Sequence, residues 1–279
     1  MKKIIADSSC DIASLDKEYK NVSFERVPLT IMIERTSYVD DFNLDINLMM
    51  QHMETYKGKS STACPSPFAW VEASKDADEV FFVTITSGLS GSYNSALVAK
   101  DMIEEIDPSK KIYVVDSLAT SSKNVLIIHK LAELLEKGVP FEEICGIIEN
   151  YKNNTKLNFI LFSIDNLVKN GRVGKITGIA ASALNINLIG EASGEGTLTP
   201  LCKGRGLTKS LNLLLNTMKM ENYNGGKVVI AHAFNEFGAI KLKENILTDY
   251  PKADISIIKC SGLCSYYSER NGILVGYEI

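Results

Sequence analysis

Between Lys2 and Asn153, short apolar runs alternate with small polar turns and with stretches of helical periodicity, and few architectures accept that order. A run buried on both faces needs helices above and below it. Strand, turn and helix in succession therefore imply a mainly parallel sheet with flanking helices. Lys2–Ala6 is such a run, closed by Asp7-Ser8-Ser9-Cys10-Asp11, the polar pattern of a helix-capping loop. Val80–Ile85 is another; Thr86-Ser87-Gly88-Leu89-Ser90-Gly91-Ser92 follows it, and a helix continues through Ile106. Lys111–Val115 repeats the arrangement, ends in Asp116-Ser117, and gives way to helical stretches at Asn124–Lys137 and Phe141–Lys152. Phe24–Ile33 reads as a further strand interrupted by Pro28, with a hairpin before Tyr38 and Val39, and Asp45–Tyr56 has apolar residues at helical spacing. Lys57–Pro67 reads as loop, because Pro65 and Pro67 lock φ and remove donors, and a short helix starts near Ser66.

Past Asn154 the strands are shorter and the helices isolated. Leu157–Phe162, Asn185–Ile189, Thr197–Leu201, Lys227–His232, Asp254–Lys259 and Ile273–Glu278 read as strands, and Leu207–Met220 as a helix. The expected fold is α/β: an N-terminal domain over residues 1–153 with a mainly parallel sheet and flanking helices, then a C-terminal α+β domain over 154–279. The polar run Lys-Asn-Asn-Thr-Lys at 152–156 separates the two. A chain of 279 residues has room for both cores.

Charge and composition exclude several classes of function. A net charge of −4 provides no electrostatic footprint for nucleic acid or an anionic membrane. Met-Lys-Lys-Ile-Ile-Ala-Asp reaches a carboxylate after three apolar residues, too few for the apolar region of a secretory signal, and no run approaches the ~20 apolar residues of a membrane span. A cytoplasmic protein with no integral membrane segment is expected. The six cysteines contain no CxxC pair and read as reduced thiols; Cys260 and Cys264 lack nearby partners for a four-ligand zinc site, so no metal is expected.

The residues that remain as site candidates cluster in turns. Ser8-Ser9, Ser60-Ser61-Thr62 and Ser87 through Ser92 combine hydroxyls with the free N–H groups of helix N-termini, donors suited to an anion and equally suited to capping. GxxxxGK[ST], a dinucleotide fingerprint and GxSxG are all absent, which removes the common nucleotide and esterase sites. His52 and His129 fall within helices, whereas His232 ends a strand at Ala231-His232-Ala233-Phe234-Asn235. Asn166–Lys175 reads as a glycine-containing basic turn before a helix, bearing Lys169, Arg172 and Lys175; Lys203-Gly204-Arg205-Gly206 adds charge at the start of Leu207–Met220. Arg172 has the planar fork that suits carboxylate or phosphate.

Taken in order, Asp7-Ser8-Ser9-Cys10-Asp11, Val27-Pro28-Leu29, Thr62-Ala63-Cys64-Pro65-Ser66-Pro67, Ile85 through Tyr93, Val115-Asp116-Ser117 and Asn170-Gly171-Arg172-Val173-Gly174 resemble the DegV family of bacterial fatty acid-binding proteins. The resemblance spans nearly the whole chain. It implies one buried long-chain fatty acid as ligand, no cofactor and no catalysis, with a separate fatty acid kinase as partner that converts the bound acid to an acyl phosphate for phospholipid synthesis. By motif, Thr62, Ser87 and the Ser90-Gly91 turn would hold the carboxylate, and Arg172, Lys203 and Arg205 would meet the kinase or the phosphate formed. Two departures stand out. Thr62-Ala63-Cys64-Pro65 replaces a common Thr-Ser-Gln-Pro, and Cys260 through Tyr266 stands where many relatives have a histidine before Gly-Pro-Gly. The alternatives are a catalytic or substrate-binding subunit related to dihydroxyacetone kinase, for which only His232 is available, and a sugar phosphocarrier, which would need a strand-end histidine in the first domain.

Overall fold

The computed structural model describes residues 1–173 and 186–279. In chain order the first elements are β1 (Lys2–Asp7), a single 3-10 turn at Ser8–Cys10, β2 (Val22–Val27), β3 (Thr30–Ile33), β4 (Thr36–Val39), α1 (Ile46–Thr55), β5 (Ser60–Ala63), α2 (Pro67–Ala73), β6 (Glu79–Thr84), α3 (Ser92–Ile106), β7 (Lys111–Asp116), α4 (Ser122–Glu136) and α5 (Phe141–Asn153). There follow β8 (Thr155–Leu161), α6 (Asp165–Lys169), β9 (Ile186–Ala192), β10 (Leu198–Arg205), α7 (Leu207–Met220), β11 (Val228–His232), α8 (Glu236–Asp249), β12 (Ile255–Lys259), α9 (Gly262–Ser268) and β13 (Ile273–Glu278).

The alternation in the first half builds a four-stranded parallel sheet in the order β2-β1-β6-β7. Both faces of its central strands are buried, as their continuous apolar runs require. Ile4, Phe81 and Val115 pack against Ile127, Leu131 and Ile144 of α4 and α5. Ile5, Val80 and Phe82 pack against Trp70 of α2 and Ala96 and Ala99 of α3. Each such Ile or Phe contributes roughly 1.5–3 kcal/mol on burial.

The second half forms a mixed six-stranded sheet, β10-β9-β8-β13-β11-β12. Period-two alternation along β8 divides its side chains: Ile160 joins Leu211 and Leu214 of α7 and Leu242 of α8 on one face, whereas Leu157, Phe159 and Leu161 turn to the other. Helix α4 lies between the two sheets. Its Ile127 and Ile128 serve the first, and its Val125 and Leu126 pack with Val229 of β11. The division at residues 153 and 154 falls between α5 and β8, and we retain it as a proposed domain boundary.

Four local expectations are corrected. Phe24–Ile33 is two strands in two sheets: Pro28 has no N–H to continue a ladder, and Leu29 leaves by donating its N–H to Ser8 Oγ at 3.0 Å. Ser60–Ala63, read as loop, is strand β5, which supplies backbone partners to β3 in the three-stranded sheet β4-β3-β5. Lys203 and Arg205 lie within β10 rather than at a helix start, because β9 pairs along its length through Arg205↔Ile186. The basic turn from Asn166 begins inside α6; Gly174, Lys175 and Asn185 lie outside the described residues.

Gly190 of β9 faces Phe159 across the ladder, and a Cβ there would stand 2.5 Å from the ring and 2.6 Å from the Thr199 carbonyl oxygen. Gly190→Ala should therefore cost about 1–3 kcal/mol of stability through overpacking, read as a fall in the urea midpoint with unchanged slope. An unshifted midpoint would show that the Phe159 ring is free to move.

Candidate functional site

The inner face of the six-stranded sheet does not close on a solid core. Leu157, Phe159 and Leu161 of β8, with Leu274 of β13 and Leu198 of β10, floor a cavity of about 560 Å3 counted to its mouth. Its other walls are Ile85 and Leu89 from the turn after β6, Leu167 of α6, and the α9 face of Leu263, Cys264, Tyr267 and Ser268. The lining is almost wholly apolar, and its hydroxyls are largely turned away: Ser268 Oγ donates to the Cys264 carbonyl at 2.6 Å, and Thr120 Oγ1 to that of Ser9 at 3.4 Å.

Polarity gathers at one place in the lining. Arg172 Nε donates to the Leu89 carbonyl at 3.2 Å and an Nη1 donates to that of Asn170, so the guanidinium sits across the turn that carries Leu89. The Tyr267 hydroxyl meets Thr62 Oγ1 at 2.8 Å; burial pushes its pKa up, while Thr62 and the nearby Arg172 charge pull it down. Ser95 Oγ of α3 donates to the Pro65 carbonyl at 2.6 Å, and a Cβ on Gly91 would meet Cys64 Sγ at 3.4 Å. The end of β5 is thus clamped to the α3 N-terminus. Thr62, Ser90 and Gly91 are not themselves lining residues but adjoin the lining, Thr62 through its bond to Tyr267 and Ser90-Gly91 as the chain neighbours of Leu89.

The other predicted residues are placed differently. Ser87 is exposed and its N–H donates to Asp116 Oδ1 at 3.1 Å, outside the cavity lining. Lys203 and Arg205 are exposed on β10, opposite Leu188 and Ile186. His232 and Cys260 line a second cavity, whereas Cys264 lines the first. Among the described residues no group of three or more Asp, Glu, His or Cys side chains could hold a metal ion, and no helix is long and apolar enough to cross a membrane. Tyr267 was missed by the sequence reading. Its signal was the spacing Leu263, Cys264, Tyr267, Ser268, one face of a helix at i, i+1, i+4 and i+5.

The strand-end motif Asp7-Ser8-Ser9-Cys10-Asp11 is buried and structural. Asp7 accepts from Ile85 N at 2.8 Å and from Ser92 Oγ at 2.6 Å, which fixes the turn after β6. Asp11 accepts from Ser261 N at 2.8 Å and Ser261 Oγ at 2.7 Å, and Asp40 accepts from Gly262 N at 2.7 Å and Leu263 N at 3.0 Å. These bonds hold the first turn of α9. Burial raises all three carboxyl pKa values against the pull of their donors.

A family model described as "Uncharacterised protein, DegV family" matches residues 1–278. The chain belongs to the DegV family. A DegV domain-containing protein of Streptococcus pneumoniae is 44% identical over 277 residues, covering 99% of both chains. Among solved structures, the Streptococcus pneumoniae Fatty Acid Kinase (Fak) B3 protein loaded with linoleic acid is similar with a TM-score of 0.97 at 44% identity, over 100% of this chain and 99% of that one. A DegV family protein from Eubacterium eligens loaded with heptadecanoic acid has a TM-score of 0.94 at 43% identity, over 100% and 99%. The mixed architecture with a parallel sheet, flanking helices and a C-terminal sheet is that of the DegV structures.

For the buried carboxylates the sign of the pH dependence follows from Asp11, whose pKa burial raises from 3.8 to about 6, with the Asp40 charge adding to the rise. Above about pH 6 the ionised group carries its full desolvation penalty, and the penalty is relieved as the folded state takes up a proton between about 6 and 3.8. The stability of wild type minus that of Asp11→Asn should therefore rise by about 1 kcal/mol from pH 7 to pH 5. Paired urea melts at the two pH values measure it. A difference that falls over this interval would mean that the ionised form is the favoured one.

Proposed function

We propose that this DegV protein binds one long-chain fatty acid, its tail in the apolar cavity and its carboxylate at the polar end beside Thr62, Ser90, Gly91 and Tyr267, and presents that carboxylate to a separate fatty acid kinase. The observation that carries the reading is the cavity itself: apolar leucine walls with the polar groups gathered at one end. The acid-loaded relatives from Streptococcus pneumoniae and Eubacterium eligens support it. So does the energetics, since burying a methylene contributes about 0.8 kcal/mol and ~15 of them offer on the order of 12 kcal/mol before ordering costs.

The head group needs hydrogen bonds to remain ionised inside. With the Tyr267 hydroxyl given to Thr62 Oγ1, those of Thr62 and Ser90 donate, and Gly91 opens a helix of fifteen residues whose N-terminus favours negative charge. Ser87 is the least suited of the family-implied contacts: it is exposed, and its backbone N–H is already given to Asp116 Oδ1. In this role the protein is a carrier, and the kinase makes the bond between the presented carboxylate and phosphate. Arg172, with Lys203 and Arg205, is assigned to the kinase contact and to the phosphate formed there, because a planar fork matches phosphate oxygens.

Protein purified from a bacterial host should carry about one equivalent of a C14–C18 acid, measured by native mass spectrometry and organic extraction. Thr62→Val with Ser90→Ala keeps volume while removing two donors, and should weaken binding by on the order of 3–6 kcal/mol in all. An empty protein that added palmitate or oleate fails to stabilise would defeat the carrier reading; full affinity in the double variant would move the head group elsewhere.

Arg172→Ala separates kinase presentation from binding. With saturating fatty acid it should slow acyl phosphate formation by a partner kinase at least about tenfold, while affinity for the acid changes less than about threefold. Wild-type turnover would reject the contact with the kinase, and a matched fall in affinity would instead place the guanidinium on the carboxylate.

A further inference from the structure

Strands β11 and β12 run parallel, and α8 joins them, so the chain contains one βαβ unit inside an otherwise antiparallel half. Open sheets place ligands beyond the carboxyl ends of such strands. The second cavity lies there, about 840 Å3 counted to its mouth, and its lining includes His232 at the end of β11, Lys259 at the end of β12 and Glu236 in the first turn of α8. Asn47 of α1 and Phe234 complete its rim.

His232 is the informative residue. It is only 4% exposed, and its Nδ1 accepts the Asn235 N–H at 3.2 Å. The neutral ring therefore carries its proton on Nε2, which has no hydrogen-bond partner among the described residues and is left for the cavity. Burial lowers the imidazole pKa, the Glu236 charge acts against this and the Lys259 charge with it. His232 and Lys259 are cross-strand partners and project on the same face of the sheet. Lys259 forms no ion pair among the described residues. Phe234 stands beside these donors at φ +56°, a conformation a bulky residue adopts only when its surroundings impose it; Ala233 N to the Gly272 carbonyl at 2.9 Å and Asn271 N to that of Ala233 at 2.8 Å hold it there. The Arg270 guanidinium covers one side of its ring, 4.6 Å from the centroid.

We propose that this cavity is a second binding site, separate from the acyl cavity, for a small hydroxylated oxyanion: the anionic group on His232 Nε2 and Lys259, a hydroxyl on the Glu236 carboxylate, and the carbon skeleton against Phe234. Neutral and charged donors side by side suit phosphate or carboxylate oxygens. Glu236 selects against a bare anion and for one that brings a hydrogen-bond donor.

The test is calorimetric titration of the protein as purified, with its fatty acid in place, using ribose 5-phosphate, gluconate and inorganic phosphate as probes. Ribose 5-phosphate or gluconate should bind, which of the two binds more tightly separating a phosphate from a carboxylate ligand, and inorganic phosphate should bind at least about tenfold more weakly than the better of them. Lys259→Met, at an exposed position whose replacement leaves the core untouched, should weaken the better probe at least about tenfold. His232→Leu should do the same and His232→Gln, which keeps a donor near Nε2, should restore most of the affinity; fatty acid content should be unchanged throughout. No heat with any probe up to roughly 10 mM, or binding that survives both Lys259→Met and His232→Leu, overturns the site.

Discussion

Ser261 stands between two buried carboxylates. Its N–H and hydroxyl go to Asp11, and the next two N–H groups, of Gly262 and Leu263, go to Asp40. That grip fixes where α9 begins, and α9 supplies a wall of the apolar cavity through Leu263, Cys264 and Tyr267. Asp7 does the equivalent work on the opposite side, where Ile85 N and Ser92 Oγ bind its second oxygen and set the turn leading to Leu89. Burying three carboxylates is costly, and their hydrogen bonds offset that cost only where donors are brought to them. What the carboxylates provide is direction: each accepts from groups that only one placement of the chain can bring together, and a cavity needs walls that do not collapse into it.

The cavity survives for a related reason. Protein interiors close-pack wherever side chains can reach one another. Here the leucines of β8 alternate at period two and all face one way, Phe159 is seated over Gly190, and the opposing helix is pinned at its first turn by Asp11 and Asp40. Neither wall can approach the other without breaking buried hydrogen bonds. The same construction explains the scarcity of polar atoms in the lining: Thr120 and Ser268 spend their hydroxyls on nearby carbonyls, so the lining keeps its polarity at Arg172 and at Tyr267, which is bonded to Thr62.

The parallel sheet was legible in the sequence because a strand buried on both faces has no polar alternation to confuse it, as Val80–Ile85 shows. Ser60–Ala63 was not legible, since its four small or polar residues pair only because β3 has an open edge to fill. Lys203 and Arg205 were read against the helix that follows them, but a strand is defined by its neighbour, here β9 through Lys203↔Leu188 and Arg205↔Ile186. For the site, Thr62, Ser90 and Arg172 were reachable through motifs. The partners that bring them together, Ser95 with Pro65 and Tyr267 with Thr62, join positions 30 and 205 residues apart, a distance no local pattern encodes. Ser8 and Ser9 were candidate donors for an anion, but both are fully buried, Ser8 Oγ accepting from Leu29 N and Ser9 Oγ donating to Asp7.

Helix α9 borders both cavities, Ser265 on one and Cys264 with Tyr267 on the other. Coupling between two ligands requires an element with two arrangements whose balance each ligand shifts, and the effect is then reciprocal. An α9 free to rotate would be such an element. Its first turn is held by four hydrogen bonds to Asp11 and Asp40, and its far end by Asn166 Nδ2 to the Tyr266 carbonyl at 2.8 Å and Asn170 Nδ2 to the Tyr266 hydroxyl at 2.9 Å. Turning the helix would break buried bonds at both ends together, each at a cost of about 1–3 kcal/mol. Strong coupling would need a differential affinity of that combined size, which a small ligand at the rim does not supply. The geometry therefore favours two cavities that share a wall and fill independently.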